Sequence, residues 1–270
     1  MHINPLLIPT ILLGLLAFWA GYRLTGRINT PAQRVIAIGI AGVLAIPAVL
    51  LATYYLHWLD AAPWFYAFRT LPYSELSAAG AGVLAGMLPA LLGRSRGFLA
   101  VSWVGMLALL LVGLCIPYAK MLLMPLHAGE LREQWEDGVC LQSTVSTCGP
   151  ASAATLLRAL GCRISEAELA HESFSTGTGT EIWYLARALQ RHGFTARYVF
   201  TPASPDHLPC PAIAGTRVGQ GPGAGHFIAL LAETPSGYLV GDPLSGKREI
   251  KKVDYAPYQF TGFFLVVNRK

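Results

Sequence analysis

Four residues in the second half of this 270-residue chain have the types and spacing for acyl chemistry: Gln142, Cys148, His226 and Asp242. Cys148 opens an apolar run with helical spacing, Ala151, Ala154, Leu156, Leu157 and Leu160, closed by Gly161. A thiol at a helix N-terminus faces unpaired backbone N–H groups and the positive end of the dipole. Both favour the thiolate, the nucleophilic form. Gln142 stands six residues earlier, in Leu141-Gln142-Ser143-Thr144-Val145-Ser146-Thr147-Cys148-Gly149-Pro150. From there its amide can donate an N–H towards the same point and form an oxyanion hole with the Cys148 N–H.

A nucleophilic cysteine needs a base, and the base needs an orienting group. His226 opens the run His226-Phe227-Ile228-Ala229-Leu230-Leu231, and Asp242 closes Tyr238-Leu239-Val240-Gly241-Asp242, before Pro243. Thr234-Pro235-Ser236-Gly237 reads as a hairpin turn between the two runs. The outer ends of such a hairpin are neighbours, so His226 and Asp242 are expected side by side at one end of a sheet. Asp242 would then hold the imidazole while its other nitrogen faces Cys148. Each residue also has a plain structural reading: a buried thiol, a satisfied core histidine, a turn-starting aspartate before proline, a loop glutamine.

The elements that must position these residues follow from the pattern. A helix is expected from Cys148 to about Leu160. A second is capped by Ser165 with Glu168 three residues on, and a third runs from about Thr180 to His192, stopped by Gly193. Short apolar runs with strand character come next: Thr195–Phe200, Ala212–Arg217, His226–Ala232, Tyr238–Gly241 and Gly262–Val267. Helices on a mostly antiparallel sheet make an α+β domain. The series Trp183, Tyr184, Leu185, Ala188 reads as helical core. The glycine-rich segment 219–225 precedes a strand rather than a helix and lacks a Lys-Ser/Thr ending. It reads as a loop framing the cleft beside His226, not as a phosphate cradle.

The first half has a different character. Residues 5–22, 35–59, 76–93 and 97–119 are uncharged and apolar, each about the length that crosses a bilayer as a helix. The pair Gly82 and Gly86 suits close helix packing within a four-span bundle, with a dimer face as the alternative. No charged residue lies mid-span, which removes the basis for an ion path or a transporter. Arg23, Arg27 and Arg34 lie between spans one and two, and Arg94 and Arg96 between spans three and four. The positive-inside rule puts these loops in the cytoplasm and both termini outside. The aromatic stretch Trp58–Tyr73 suits the outer headgroup layer. The expected layout is a four-span transmembrane domain over 1–119, a juxtamembrane connector over 120–138 and the α+β domain over 139–270.

Composition agrees with this division. Only 13% of residues are charged and 53% are hydrophobic. Residues 1–125 hold seven Lys/Arg and two acids, and residues 126–270 hold thirteen of each sign, so the net +5 sits in the apolar half. The second half carries no basic surplus, which excludes nucleic acid as its partner. The cysteines Cys115, Cys140, Cys148, Cys162 and Cys210 show no CxxC pair and no Cys/His metal spacing, so neither a metal nor another cofactor is expected. On the outer side of a membrane, one pair among Cys140, Cys162 and Cys210 could join in a disulfide.

Gln142, Cys148-Gly149, a strand opened by His226, and Asp242-Pro243 together resemble the papain-like cysteine peptidases, and within them the bacteriocin-processing, double-glycine leader peptidases. The resemblance spans roughly residues 139–267. It implies a papain-like fold with an antiparallel sheet, and by position it assigns the oxyanion role to Gln142, nucleophilic attack to Cys148, base and then acid to His226, and orientation to Asp242. Many members have Asp before the cysteine, where this chain has Thr147. Members usually precede an ABC exporter, whereas here a four-span bundle precedes the domain. The resemblance implies cleavage after small, Gly-Gly-like residues, a peptide or leader substrate, and an exporter or secretion system as partner. Two other functions fit the same residues: another acyl transfer by the same thiol, such as amide hydrolysis, and a non-catalytic module that binds leader peptides.

Overall fold

The computed structural model describes residues 3–92, 96–201, 207–217, 225–251 and 259–270. The segments 202–206 and 218–224, which include most of the glycine-rich stretch, and Arg94 in the second arginine loop lie outside the described residues. Among the described residues, six helices occupy the first 123 positions: α1 (Leu7–Thr25), α2 (Pro31–Thr53), α3 (Pro63–Thr70), α4 (Ala81–Leu92), α5 (Arg96–Cys115) and α6 (Ala119–Leu123). Among the described residues, four stretches are long and apolar enough to cross a membrane: Leu7–Thr25, Pro31–Leu56, Ser74–Leu91 and Val101–Leu123. They match the expected spans to within a few residues. The fourth runs on through α6, into the stretch read from sequence as connector. The third opens with a 3-10 turn, Ser74–Gly80, before α4.

Contacts divide the chain into two compact units. One comprises Ile3–Asp60 and Tyr73–Ala119, the other Ala61–Pro72 and Lys120–Lys270. In the first unit, small residues let backbones meet. A Cβ on Gly82 would collide with the Gly14 carbonyl, and one on Gly86 with the Phe18 carbonyl, so α4 lies directly on α1. The glycine pair is used inside the bundle. Thr10 Oγ1 and the Tyr118 hydroxyl share a buried 2.8 Å hydrogen bond, satisfying two polar groups among apolar helices.

The second unit is α+β. After two short strands, β1 (Gln134–Glu136) and β2 (Val139–Leu141), come α7 (Cys148–Ala159), α8 (Glu166–Glu172) and α9 (Ile182–Arg191). Among the described residues, six strands follow: β3 (Phe194–Phe200), β4 (Ala212–Arg217), β5 (Gly225–Glu233), β6 (Gly237–Asp242), β7 (Gly246–Lys251) and β8 (Phe260–Arg269). They form an antiparallel sheet in the order β3-β8-β4-β5-β6-β7. The strand β7 was not expected from sequence. It is an edge strand carrying Lys247, Arg248 and Glu249, with Gly246 and Ile250 its buried residues, so it has no apolar run to read. Central strands are buried on both faces. Ala212, Ile213, Ala214, Ile228, Ala229, Leu230, Phe264 and Leu265 are all fully covered.

The helices close on this sheet where small residues allow it. A Cβ on Gly241 of β6 would stand 2.7 Å from Thr155 Cγ2 of α7 and 3.2 Å from Val139 Cγ2 of β2. Both neighbours are β-branched and fully packed, so they have little room to yield. Gly241→Ala is expected to destabilise the unit by about 1–3 kcal/mol through overpacking. Chemical denaturation of the detergent-solubilised protein would show this as a lower midpoint, and an unchanged midpoint would disprove the contact.

The helix α3 departs from the sequence reading. The aromatic stretch between spans two and three was expected at the headgroup layer. Instead Phe65 and Tyr66 are buried in the second unit. The Tyr66 ring lies 5.4–5.5 Å from Tyr198, Phe200 and Phe263 and 6.3 Å from Trp183. The buried Arg69 sets its guanidinium 4.5 Å over the Trp183 ring. Trp58, Trp64 and Tyr73 remain exposed.

Candidate active site

The α7 helix starts at Cys148. An α-helix leaves its first N–H groups without i−4 carbonyls. Here those groups belong to Cys148 and Gly149, because Pro150 has none and sits where a missing N–H costs nothing. Cys148 is buried, with 9% of its surface exposed. Ser152, one turn along α7, donates its hydroxyl to the Phe227 carbonyl at 2.9 Å. That bond fixes the register of helix against strand. Cys148 is thereby brought beside His226, the residue before Phe227, close enough for the sulfur to act on the imidazole's charge.

His226 Nε2 lies 2.9 Å from Asp242 Oδ1, and the pair is buried. Their meeting depends on a one-residue irregularity. Near the turn the register runs Glu233↔Tyr238 and Ala232↔Leu239; beyond Leu231 it is Leu230↔Val240 and Ala229↔Gly241. Without that shift Ala229 would stand opposite Asp242, and His226 would point from the other face of the sheet. With it, the next step sets Ile228 opposite Asp242, so His226 becomes the diagonal neighbour on the same face, within reach of a long side chain.

The electrostatics follow from these partners. Burial alone would lower the His226 pKa, but the hydrogen bond to Asp242 and the neighbouring Cys148 sulfur, with the charges of both, raise it from 6.5 to about 9. Burial would raise Asp242. The His226 bond, the Leu244 N–H at 2.9 Å and the Ser245 hydroxyl at 2.7 Å outweigh it and hold the carboxylate down at about 2. An imidazolium therefore stands beside the Cys148 sulfur at neutral pH.

Gln142 is placed by backbone and side chain together. Its N–H donates to the Pro243 carbonyl at 3.0 Å, tying it to the turn after Asp242. Its Nε2 donates to the Thr144 carbonyl at 2.8 Å, which fixes the amide orientation because a carbonyl only accepts. The buried Oε1 has no partner among the described residues. Thr147 is fully buried and closes the turn: Thr144 N–H donates to its Oγ1 at 3.1 Å, and its own hydroxyl donates to the Thr144 carbonyl at 3.2 Å. Gln142 thus sits on the turn that leads into Cys148, with no direct bond between the two.

The other thiols are differently placed, and none of the five cysteines is in a disulfide. Burial, with Glu166 and Glu133 nearby, pushes Cys140 up to about 12; burial, with Glu233, pushes Cys210 to about 11. Both stay protonated and unreactive at neutral pH. Among groups that could hold a metal, Glu168, Glu172 and His192 bring ligand atoms within 4.8 Å of one another. Arg191 occupies Glu172 at 3.0 Å, and His192 bonds it at 3.1 Å, so the cluster is already an ion-pair network.

Two residues near the site were not singled out from sequence. Ser245 reads there as an ordinary turn residue and Glu166 as a first-turn helix acid. Only the folded chain puts Ser245 on Asp242, and Glu166 on Ser143.

The peptidase C39 family model matches residues 137–270. An uncharacterised protein of Methanothermobacter marburgensis is 34% identical over 135 residues, covering 50% of this chain and 91% of that protein. One from Methanothermobacter thermautotrophicus is 30% identical over 137 residues, covering 50% and 90%. Among solved structures, the peptidase domain of Streptococcus ComA, a bi-functional ABC transporter in a quorum-sensing pathway, is similar over 48% of this chain and 96% of its own, with 21% identity and a TM-score of 0.41. A double glycine motif protease from an AMS/PCAT transporter, in complex with the leader peptide, covers 52% and 91%, with 19% identity and a TM-score of 0.39. With the family model on its C-terminal half and relatives matched over nine-tenths of their length, the chain belongs to the peptidase C39 family.

Proposed function

We propose that this chain is a membrane-anchored cysteine peptidase that cleaves a peptide or leader segment after small, Gly-Gly-like residues. The observation that carries the reading is His226, held at 2.9 Å by Asp242 and placed beside Cys148 at the start of α7. The Cys148 sulfur attacks the peptide carbonyl. The Cys148 N–H and the Gln142 amide stabilise the oxyanion, and the imidazolium of His226 protonates the leaving amine. Water, deprotonated by His226, then hydrolyses the thioester and restores the thiol. The family supports a peptide substrate. The Gly-Gly preference and an exporter or secretion system as partner rest on the resemblance of the site motif.

The membrane reading takes residues 1–119 as anchor, 120–138 as connector and 139–270 as peptidase domain, with α3, between spans two and three in sequence, belonging to the same compact unit as residues 120–270. That α3 and residues 120–270 form one compact unit supports an even number of crossings between them. The arginine loops then favour the cytoplasm and the peptidase domain the outer side. The test is cleavage of synthetic Gly-Gly-containing peptides by the purified full-length protein, paired with protease accessibility of the C-terminus in spheroplasts. Cleavage after the small residues and an accessible C-terminus are expected. No cleavage of any such peptide would overturn the substrate, and a protected C-terminus the orientation.

A further inference from the structure

The proposed mechanism leaves a buried acid of the second unit unused. Glu166, the first residue of α8, is fully buried and directed at the loop between Gln142 and Cys148. Its Oε1 accepts the Ser143 N–H at 2.9 Å, and its Oε2 accepts the Ser143 hydroxyl at 2.5 Å. The direction of the second bond is set by a third. The Arg132 N–H, which can only donate, points at Ser143 Oγ at 2.8 Å, so the hydroxyl hydrogen is turned to Glu166. Both carboxyl oxygens are spent on one loop residue.

That residue is the middle of three consecutive anchors. Gln142 is held through its N–H by Pro243, Ser143 by Glu166, and Thr144 by Thr147. The first and third anchors lie in the Asp242 turn and in the helix start. Only the middle one comes from a separate helix. Fixing Ser143 fixes the peptide plane that leaves Gln142, and so the point from which the amide reaches the cleft.

We infer that Glu166 is a positioning residue for the oxyanion site, holding the Gln142 loop through Ser143 so that the glutamine amide and the Cys148 N–H converge. This rests on the catalytic reading of Gln142 and Cys148. Glu166 touches neither substrate nor sulfur, so its loss slows steps that build an oxyanion and spares steps that need only the nucleophile.

Two probes separate these steps in the full-length protein in detergent. Iodoacetamide alkylates Cys148 by direct displacement and forms no oxyanion. The p-nitrophenyl ester of an acetyl-Gly-Gly peptide acylates Cys148 through one. For Glu166→Ala the expected result is alkylation within about twofold of wild type and ester acylation lowered about 100-fold, the scale of a misplaced catalytic group. Glu166→Gln keeps an acceptor for the Ser143 N–H and is expected to recover acylation to within about tenfold. Should Glu166→Ala not fold, Ser143→Ala removes only the hydroxyl link and is expected to show the same split at about tenfold. Alkylation and acylation falling together in these variants, or acylation unchanged, would overturn the inference. Ester turnover that survives Cys148→Ala or Gln142→Ala would instead overturn the catalytic reading beneath it.

Discussion

Replacing Cys148 with alanine is expected to abolish peptide cleavage, lowering the rate at least about 10⁴-fold, while the protein still folds and enters the membrane fraction. The sulfur is the atom that attacks, and neither Cys140 nor Cys210 can stand in. Cys140 and Cys210 are held protonated by burial. His226 would remain paired with Asp242. The lost packing is small, because the change removes one atom, at a cost of about 1 kcal/mol. Cleavage measured by mass spectrometry, alongside the circular-dichroism spectrum in detergent, checks both halves. Residual cleavage near the wild-type rate would remove the thiol from the mechanism.

Asp242→Ala is the second large effect expected, a loss of about 10²–10⁴-fold, on the scale of a positioned acid–base group. Asp242→Asn keeps an acceptor for His226 Nε2 and should recover part of the rate, with a changed pH profile. In the native site His226 is an imidazolium up to about pH 9, so activity that depends on that proton falls as pH rises through 9. Without the carboxylate charge the imidazolium is less stable, and the alkaline limb moves to lower pH. Stability follows the same signs. The raised His226 pKa contributes stability fully present below pH 6.5 and lost as pH rises through about 9. The depressed Asp242 pKa contributes stability present above pH 3.8 and lost as pH falls towards about 2. A pH–rate profile of the Asn variant with an unmoved alkaline limb would separate Asp242 from the titration of His226.

Much of the architecture could be read from residue pattern, because the determinants are local. Four uncharged runs, a Ser165 cap and a Thr234–Gly237 turn each specify their element within a few residues. What could not be read is set by packing at a distance. The extra residue at Leu231 decides which face His226 occupies, yet one leucine among Ala229-Leu230-Leu231-Ala232 carries no mark of a bulge. Phe65 and Tyr66 suit a headgroup layer as well as a protein surface, and only the partners Trp183, Tyr198 and Phe263 decide between them. Ser245 and Glu166 have ordinary local roles, a turn and a helix start. Their contacts with Asp242 and Ser143 arise from the fold.

The most direct measurement is peptide-mapped mass spectrometry of the full-length protein, acid-quenched during turnover of the acetyl-Gly-Gly ester. The expected result is an acyl thioester on Cys148 and on none of Cys115, Cys140, Cys162 or Cys210. Acyl groups on another cysteine, or turnover that leaves Cys148 unmodified and persists in Cys148→Ala, would contradict a cysteine peptidase built on Cys148, His226 and Asp242.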